Sequence, residues 1–471
     1  MSIQGKQISP KIVLGVMLAG TFFASVSQSM LTSALPTIMH EFGINATFGQ
    51  LLTTSYIYVL GIVAAFSAFL ITRCNVRWLF LGALGLFCGG CALSYLSTHY
   101  AVLLASRLMQ ACGTGVLMPL MQVIALELYP KEQHGHALGL VGLVFGFAPV
   151  VGPTLSGVIT DALGWRTIFA ILGIGALVSL AASAFAVRDV GRHGKTFLDV
   201  PSMLLYTFGL VVFMVGVTGL EQFGFFDARA FGPTLAGVAL VAVFAIRQTR
   251  IDRPYLKLSL FRNRTFATGV VFLVVAQIVM MSSALQVPLC MQEIHGYTPT
   301  ESGLILLAGA LCMPLLNPVT GRLYDRFGAR LNGAVGFSLL FVGTGAFVFF
   351  SADVSPLWIA GMYMLRMVGI AFVLMPMTAY CMTDLRGGDI PQGTAIVNSF
   401  RQICGSLGSS VMVAVVTLAS PDASGVVDVS MAGFSVSFGT QALLAAVAFV
   451  GAIAFLRGRR KREGVGKHGE P

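Results

Sequence analysis

The segment GFAPVVGPTLSG, residues 146–157, sits inside a long apolar run and yet holds Gly146, Pro149, Gly152, Pro153 and Gly157. In a soluble protein, two prolines and three glycines within twelve residues would end a helix. The apolar run nevertheless continues on both sides, over about 136–160, and ~20 such residues suffice to cross a bilayer. In lipid a helix survives these residues when neighbouring helices satisfy the backbone groups that proline releases. The stretch therefore reads as one membrane span with a built-in weakness.

The rest of the chain agrees. Of 471 residues, 56% are hydrophobic and only 10% charged, against roughly 25% charge in a soluble domain. The 54 glycines suit helices that approach closely in a membrane. The net charge of +10 lies between apolar spans and is assigned to loops rather than to a nucleic-acid partner. All eight cysteines lie in or beside apolar spans. Cys88 and Cys91 have CxxC spacing, but inside an apolar helix they read as small packing residues. The histidines are scattered, so no metal site and no cofactor are expected. The first apolar run, about 12–34, is too long for a signal-peptide core and reads as an uncleaved helix.

Counting runs of this kind predicts fourteen spans, near 12–34, 50–71, 78–97, 101–125, 136–160, 166–187, 199–219, 231–248, 266–290, 302–321, 331–350, 356–380, 393–418 and 437–456. With a cytoplasmic N-terminus, 24 of the 29 Lys and Arg residues fall on the cytoplasmic side. Only Arg166 and Arg229 fall outside, and Arg107, Arg366 and Arg401 lie within spans. This asymmetry predicts that both termini are cytoplasmic.

The chain also repeats itself. GRLYDRFGAR (321–330) follows span 10, and a worn copy, AFLITRCNVR (68–77), follows span 2. VLMP occurs at 116–119 in span 4 and at 373–376 in span 12, each with an upstream arginine and a carboxylate eight residues past the proline, Glu127 or Asp384. Spans 1–6 and 9–14 thus read as two parallel six-helix units with spans 7–8 inserted, an arrangement that places a transport site between the halves. The expected organisation is an N-terminal half (1–190), two inserted helices (191–253), and a C-terminal half with a basic cytoplasmic tail (254–471).

These features resemble the major facilitator superfamily, specifically the fourteen-helix drug:proton antiporters of the lincomycin-resistance type. GRLYDRFGAR resembles the loop motif after the second helix of a half. Arg107 and Gln110 in SRLMQACGTG are similar to the fourth-helix motif, and Gly139, Gly152, Pro153 and Gly157 to the fifth-helix antiporter motif. WRTIF (165–169), PYLKLSLFRNRTF (254–266) and GTAIVNSFRQICGSLG (393–408) extend the resemblance over nearly the whole chain. It implies an all-α polytopic membrane protein of the major facilitator fold, with two six-helix halves plus two inserted helices. It further implies a proton-coupled exporter of amphipathic drugs or antibiotics in the cell membrane. For the opening segment it implies a hinge and sliding surface against the opposite half.

The sequence also departs from the pattern. Ala148 and Ser156 stand where glycines are usual, and Thr72 and Asn75 replace an aspartate and a glycine in the loop after span 2. His134 and His136 stand where arginines are common. In the first helix, SVSQSMLTSALP carries Ser27, followed by Gln28, where many relatives have an aspartate thought to take the coupling proton.

A charge within a span is functional by default. No acidic residue lies near the middle of a span: Glu127 and Asp384 sit toward the cytoplasmic ends, Glu221 and Glu293 near the outer ends. The arginines are therefore expected to hold carbonyls and amides. The substrate and coupling candidates are Gln28, Arg107, Gln110, Glu127, Asn398, Arg401 and Gln402, with Gln28 expected beside Arg107 and Glu127 the first candidate for the proton. The hinge candidates are Gly139, Gly152, Pro153 and Gly157, and a side chain at Gly152 is expected to hold the halves apart. Gly321, Asp325, Arg326 and Arg330 form a candidate cytoplasmic latch, in which Asp325 pairs with arginines or faces a helix N-terminus. The basic run from Arg247 to Arg264 is expected on the inner leaflet.

The expected partners are a small-molecule substrate, protons and membrane lipid, with no nucleic acid, and the chain is expected to act as a monomer. Neither HExxH nor GxSxG is present, so no enzyme is expected, and no P-loop points to ATP. Two other readings stay open. One is a transporter of a specific anionic metabolite, favoured by the missing first-helix aspartate and the unpaired arginines. The other is a non-transporting membrane sensor, which would need a soluble domain.

Overall fold

The computed structural model describes residues 10–44, 46–186, 199–223, 227–251, 254, 256–350, 354–419 and 431–456. The basic tail beyond 456, Arg192 and Lys195 lie outside the described residues, as do the side chains of Glu221 and Glu293. Fourteen α-helices follow in order: α1 Pro10–Phe42, α2 Ala46–Arg73, α3 Val76–Tyr95, α4 Tyr100–Leu128, α5 His134–Leu163, α6 Arg166–Ala186, α7 Val200–Phe223, α8 Ala228–Arg250, α9 Arg264–His295, α10 Pro299–Phe327, α11 Ala329–Gly345, α12 Pro356–Met382, α13 Asp389–Leu418 and α14 Met431–Phe455. All fourteen are long and apolar enough to cross a membrane, as the sequence predicts. Most run past the apolar spans, because a helix does not end where the hydrocarbon does.

Local chemistry sets several ends. Asn75 caps α3 by accepting from Arg77 N and Trp78 N, Asn263 caps α9 in the same way, and Thr298 with Glu301 forms a capping box on α10. Gly164 (φ 81°) and Gly296 (φ 66°) close α5 and α9 in the left-handed region, which only glycine enters freely.

The helices pack as two six-helix halves. In the first, α4 lies on α2 and α3, α6 on α1 and α3, and α5 on α1. In the second, α12 lies on α9, α10 and α11, and α14 on α11 and α9. Two main contacts join the halves, α5 on α10 and α2 on α13, with smaller ones of α5 on α12 and α4 on α13. The inserted α7 and α8 form a hairpin, with α7 resting against both α2 and α13. Outward faces carry exposed apolar side chains such as Ile174, Phe185, Leu235 and Val450, as a lipid-facing surface requires. Two charges of the basic run are held by the protein itself: Arg247 pairs with Asp199 (3.2 Å) and Lys257 with Asp389 (2.7 Å).

Candidate functional site

Arg107 lies seven residues into α4, roughly 10 Å along it at ~1.5 Å per residue, and is fully buried. Its Nη1 donates to Ser27 O (3.2 Å), Ser27 Oγ (2.9 Å) and Gln110 Oε1 (2.8 Å). The guanidinium carbon sits 4.2 Å from the centre of the Tyr56 ring, a cation–π contact. Ser27 Oγ in turn donates to Gln110 Oε1 (2.9 Å), and Gln110 Nε2 donates to Ser94 Oγ (2.8 Å). No ion pair between Arg107 and a carboxylate occurs among the described residues. The acceptors are carbonyl, hydroxyl and amide oxygens, as expected, but the serine and not Gln28 supplies the first helix's share. Ser27 and Gln28 point about 100° apart on α1, so only one of them faces α4.

Arg366 on α12 repeats the arrangement. It is fully buried, and its Nη2 donates to Val279 O of α9 (2.7 Å) and Gln441 Oε1 of α14 (3.1 Å). Ser283 Oγ also donates to Gln441 Oε1 (2.9 Å), matching the Ser27–Gln110 contact. Each half thus ties a buried arginine to a carbonyl of its first helix and to a glutamine steadied by a serine.

The remaining candidates do not gather around either arginine. Arg401 Nε donates to Gln277 Oε1 on α9 (3.2 Å). Asn398 Nδ2 donates to Gln122 Oε1 on α4 (2.8 Å), so this amide joins the two halves. Gln402 lies against Gly61 of α2, whose carbonyl accepts from Ser399 Oγ (3.1 Å). Glu127 is exposed at the end of α4, and Asp384 is exposed just beyond α12.

The opening segment divides in two. A Cβ at Gly139 would meet Asn317 O at 2.6 Å and Pro318 Cα at 2.9 Å, both backbone atoms of α10. Gly146 faces Pro314 of the same helix, and Gly142 O accepts from Asn317 Nδ2 (2.7 Å). Gly152 instead faces Ser29 of α1, within its own half, and Gly157 faces open space. The expectation that a side chain at Gly152 holds the halves apart is therefore corrected: the crossing contact ends near Gly146, because beyond it α5 turns its small residues to α1. Serines of α1 bond this part of the backbone, Ser29 Oγ to Ala148 O (3.0 Å) and Ser33 Oγ to Pro153 O (2.9 Å). The helix stays continuous through Pro149 and Pro153.

At its start α5 has no side-chain cap of its own. Asp325 of α10 takes that place from the other half, accepting from Gly135 N and His136 N, each at 2.8 Å. The structure thus has this aspartate facing a helix N-terminus. Gly135 and Gly321 face each other so closely that a Cβ on either would strike the other's carbonyl oxygen. Arg322 Nε donates to His136 Nδ1 (3.3 Å), while Arg330 is exposed and Arg326 stacks on Phe327. Sequence reasoning missed Tyr56, Gln122, Asn317 and Gln277. The available signal was an isolated polar residue in an apolar span, but nothing in the chain says which two such residues meet.

A sequence model of the Major Facilitator Superfamily matches residues 17–409. The chain is 32% identical over 464 residues to the uncharacterized MFS-type transporter YcnB of Bacillus subtilis, covering 98% of each. It is 32% identical over 413 residues to the lincomycin resistance protein LmrB of Bacillus subtilis, covering 87% of this chain and 86% of that one. The crystal structure of the human organic anion transporter MFSD10 (TETRAN) superposes with a TM-score of 0.68 at 13% identity, covering 95% of this chain and 100% of that one. The last likeness is one of fold.

Proposed function

The chain belongs to the Major Facilitator Superfamily, and from that premise we propose that it exports amphipathic drugs or antibiotics by alternating access, driven by the proton gradient. The lincomycin-resistance relative supports the substrate class. The observation that carries the mechanism is the set of contacts between the halves. Asp325 on the start of α5, Asn317 on Gly142, Gln122 on Asn398 and Ser399 on Gly61 join the halves from the middle of the membrane to one face. Toward the other face α5 leaves α10 for α1. A transporter closed on one side has this form, and small hydrogen-bonded contacts of this kind separate and re-form at low cost.

The closed face carries the basic loops, and that asymmetry supports a cytoplasmic face with both termini on it, in the cell membrane. The halves are taken as 1–190 and 254–471 with 191–253 inserted, and the chain acts as a monomer. Arg107, Gln110 and Ser27 form a rigid polar support beside the substrate path. With no carboxylate paired to Arg107, the coupling proton is assigned to Glu127 at the cytoplasmic end of α4.

Everted membrane vesicles test this reading. With an acidic interior they should accumulate a fluorescent amphipath, and a protonophore should abolish the uptake. Glu127→Gln should lose gradient-driven accumulation yet keep passive exchange. Uptake that ignores the gradient in the wild type would remove the proton from the scheme, and accumulation only in right-side-out vesicles would reverse its direction.

A further inference from the structure

Three arginines lie within the spans, and their end groups differ. Arg107 and Arg366 are fully buried, and their remaining nitrogens are sealed from solvent. Arg401 is only half-buried. Its one hydrogen bond to described residues is Nε to Gln277 Oε1, and Nη1 and Nη2 are not among the sealed nitrogens.

Arg401 is twelve residues into α13, about 18 Å along a helix that crosses a core of ~30 Å. At that depth an open guanidinium is stable only where water or a ligand reaches it, since it cannot shed its proton. It also stands next to the junction of the halves, because Gln402 and Ser399 touch Gly61 of α2. On the same face of α13, Gly405 packs closely on Gln277 and Met281 and Gly408 on Ile278, all residues of α9. A fixed cation with two donors that no described residue accepts from thus stands at the edge of the packed α9–α13 seam, beside the junction of the halves.

We propose that Arg401 binds the anionic group of the transported molecule through Nη1 and Nη2, so that the substrates are amphipathic anions, carboxylates above all. This rests on the exporter reading and narrows its substrate class. Gln277 holds Nε and so aims the two remaining donors, which match the two oxygens of a carboxylate. No described carboxylate pairs with this guanidinium, so the substrate itself supplies the counter-charge.

The test uses the full chain, purified in a neutral maltoside and also reconstituted in vesicles. The probes are naphthaleneacetate, its methyl ester and a naphthylmethyl-trimethylammonium cation. The acid should raise the melting temperature and bind ~10-fold or more tightly than the ester or the cation. Arg401→Gln should bring acid and ester to parity, and Arg401→Lys should keep part of the preference. Parity in the wild-type protein overturns the proposal without any variant having to fold, and so does a preference that survives in Arg401→Gln. Vesicles separate the two readings. If ester and cation are pumped as well as the acid, the exporter stands and the anion site fails. If the acid binds through Arg401 but is never moved, the site stands and the exporter fails. Added phosphatidylglycerol that shifts melting through Arg401 where the acid does not would make this a lipid headgroup site and reject the substrate class.

Discussion

The two ends of α5 are built from the same kinds of residue and do different work. From Gly135 to Gly146 the helix lies on α10 of the other half, glycine against backbone, and its first amides are capped by an aspartate from across the junction. From Ala148 onward it lies on α1, and serine hydroxyls of that helix bond its carbonyls around the prolines. In the alternating-access cycle proposed above, the first end is the one that would separate, because it rests on a few hydrogen bonds and flat surfaces. The second is bound to its own half. A glycine in a membrane helix marks a close approach, but not whether the approach lies within a half or between halves.

Substitutions at matched glycines should break this comparison most sharply. Gly139→Leu drives a side chain into the α10 backbone, which cannot rotate away, and overpacking of this sort costs about 1–3 kcal/mol or more. Transport should fall to background, and a cysteine placed at the buried Leu138, which packs with the second half, should become open to maleimide. Gly152→Leu strikes the Ser29 side chain of α1 instead. It should lower the melting temperature while leaving that cysteine protected. If the Gly152 variant exposes position 138 and the Gly139 variant does not, the assignment of the two ends is reversed.

A smaller effect is expected at the cap. Asp325→Asn keeps one acceptor but loses the charge that faces the α5 N-terminus, worth about 0.5–2 kcal/mol. Labelling at position 138 should then speed up by about 2- to 30-fold as the closed face opens more often. Unchanged labelling would mean that the glycine contact alone holds this face shut. Ser29→Ala, on the other end, should cost about 1 kcal/mol and leave labelling as it was.

The smallest effect should come from the connection beyond α5. Glu41 accepts from Trp165 Nε1 (2.6 Å) and pairs with Arg166 (2.7 Å), tying α1 to the start of α6 within one half. Partial burial would raise the Glu41 carboxyl, but the hydrogen bonds from Trp165 and Arg166 and the Arg166 charge outweigh it and hold it below the usual glutamate value. A lowered native value means stability that is present above the unfolded pKa and lost as pH falls through the native one. The gap in melting temperature between wild type and Glu41→Gln should therefore be small at neutral pH and close as pH drops below the ordinary glutamate range. Both side chains are a third or more exposed, so solvent screening keeps the gap slight. A gap that widens in acid would reject the linkage.

Taken alone, the sequence determined the parts of this protein that depend on exchange between water and lipid. Hydropathy marked fourteen spans, because bilayer thickness demands that much apolar length wherever a helix crosses. Two similar six-helix units were legible from matching motifs at corresponding spans, and the burial of Arg107 and Arg366 from the cost of a charge in hydrocarbon. Pairing between distant helices was decided only by the tertiary structure. Ser27 rather than Gln28 meets Arg107, Gln122 meets Asn398 across 276 positions, and Asp325 caps a helix 190 positions away. These choices rest on helix rotation and crossing, where neighbouring residues differ by about 100° in direction and a shift of one position selects another partner. Periodicity says that a face exists, and only packing says what it touches.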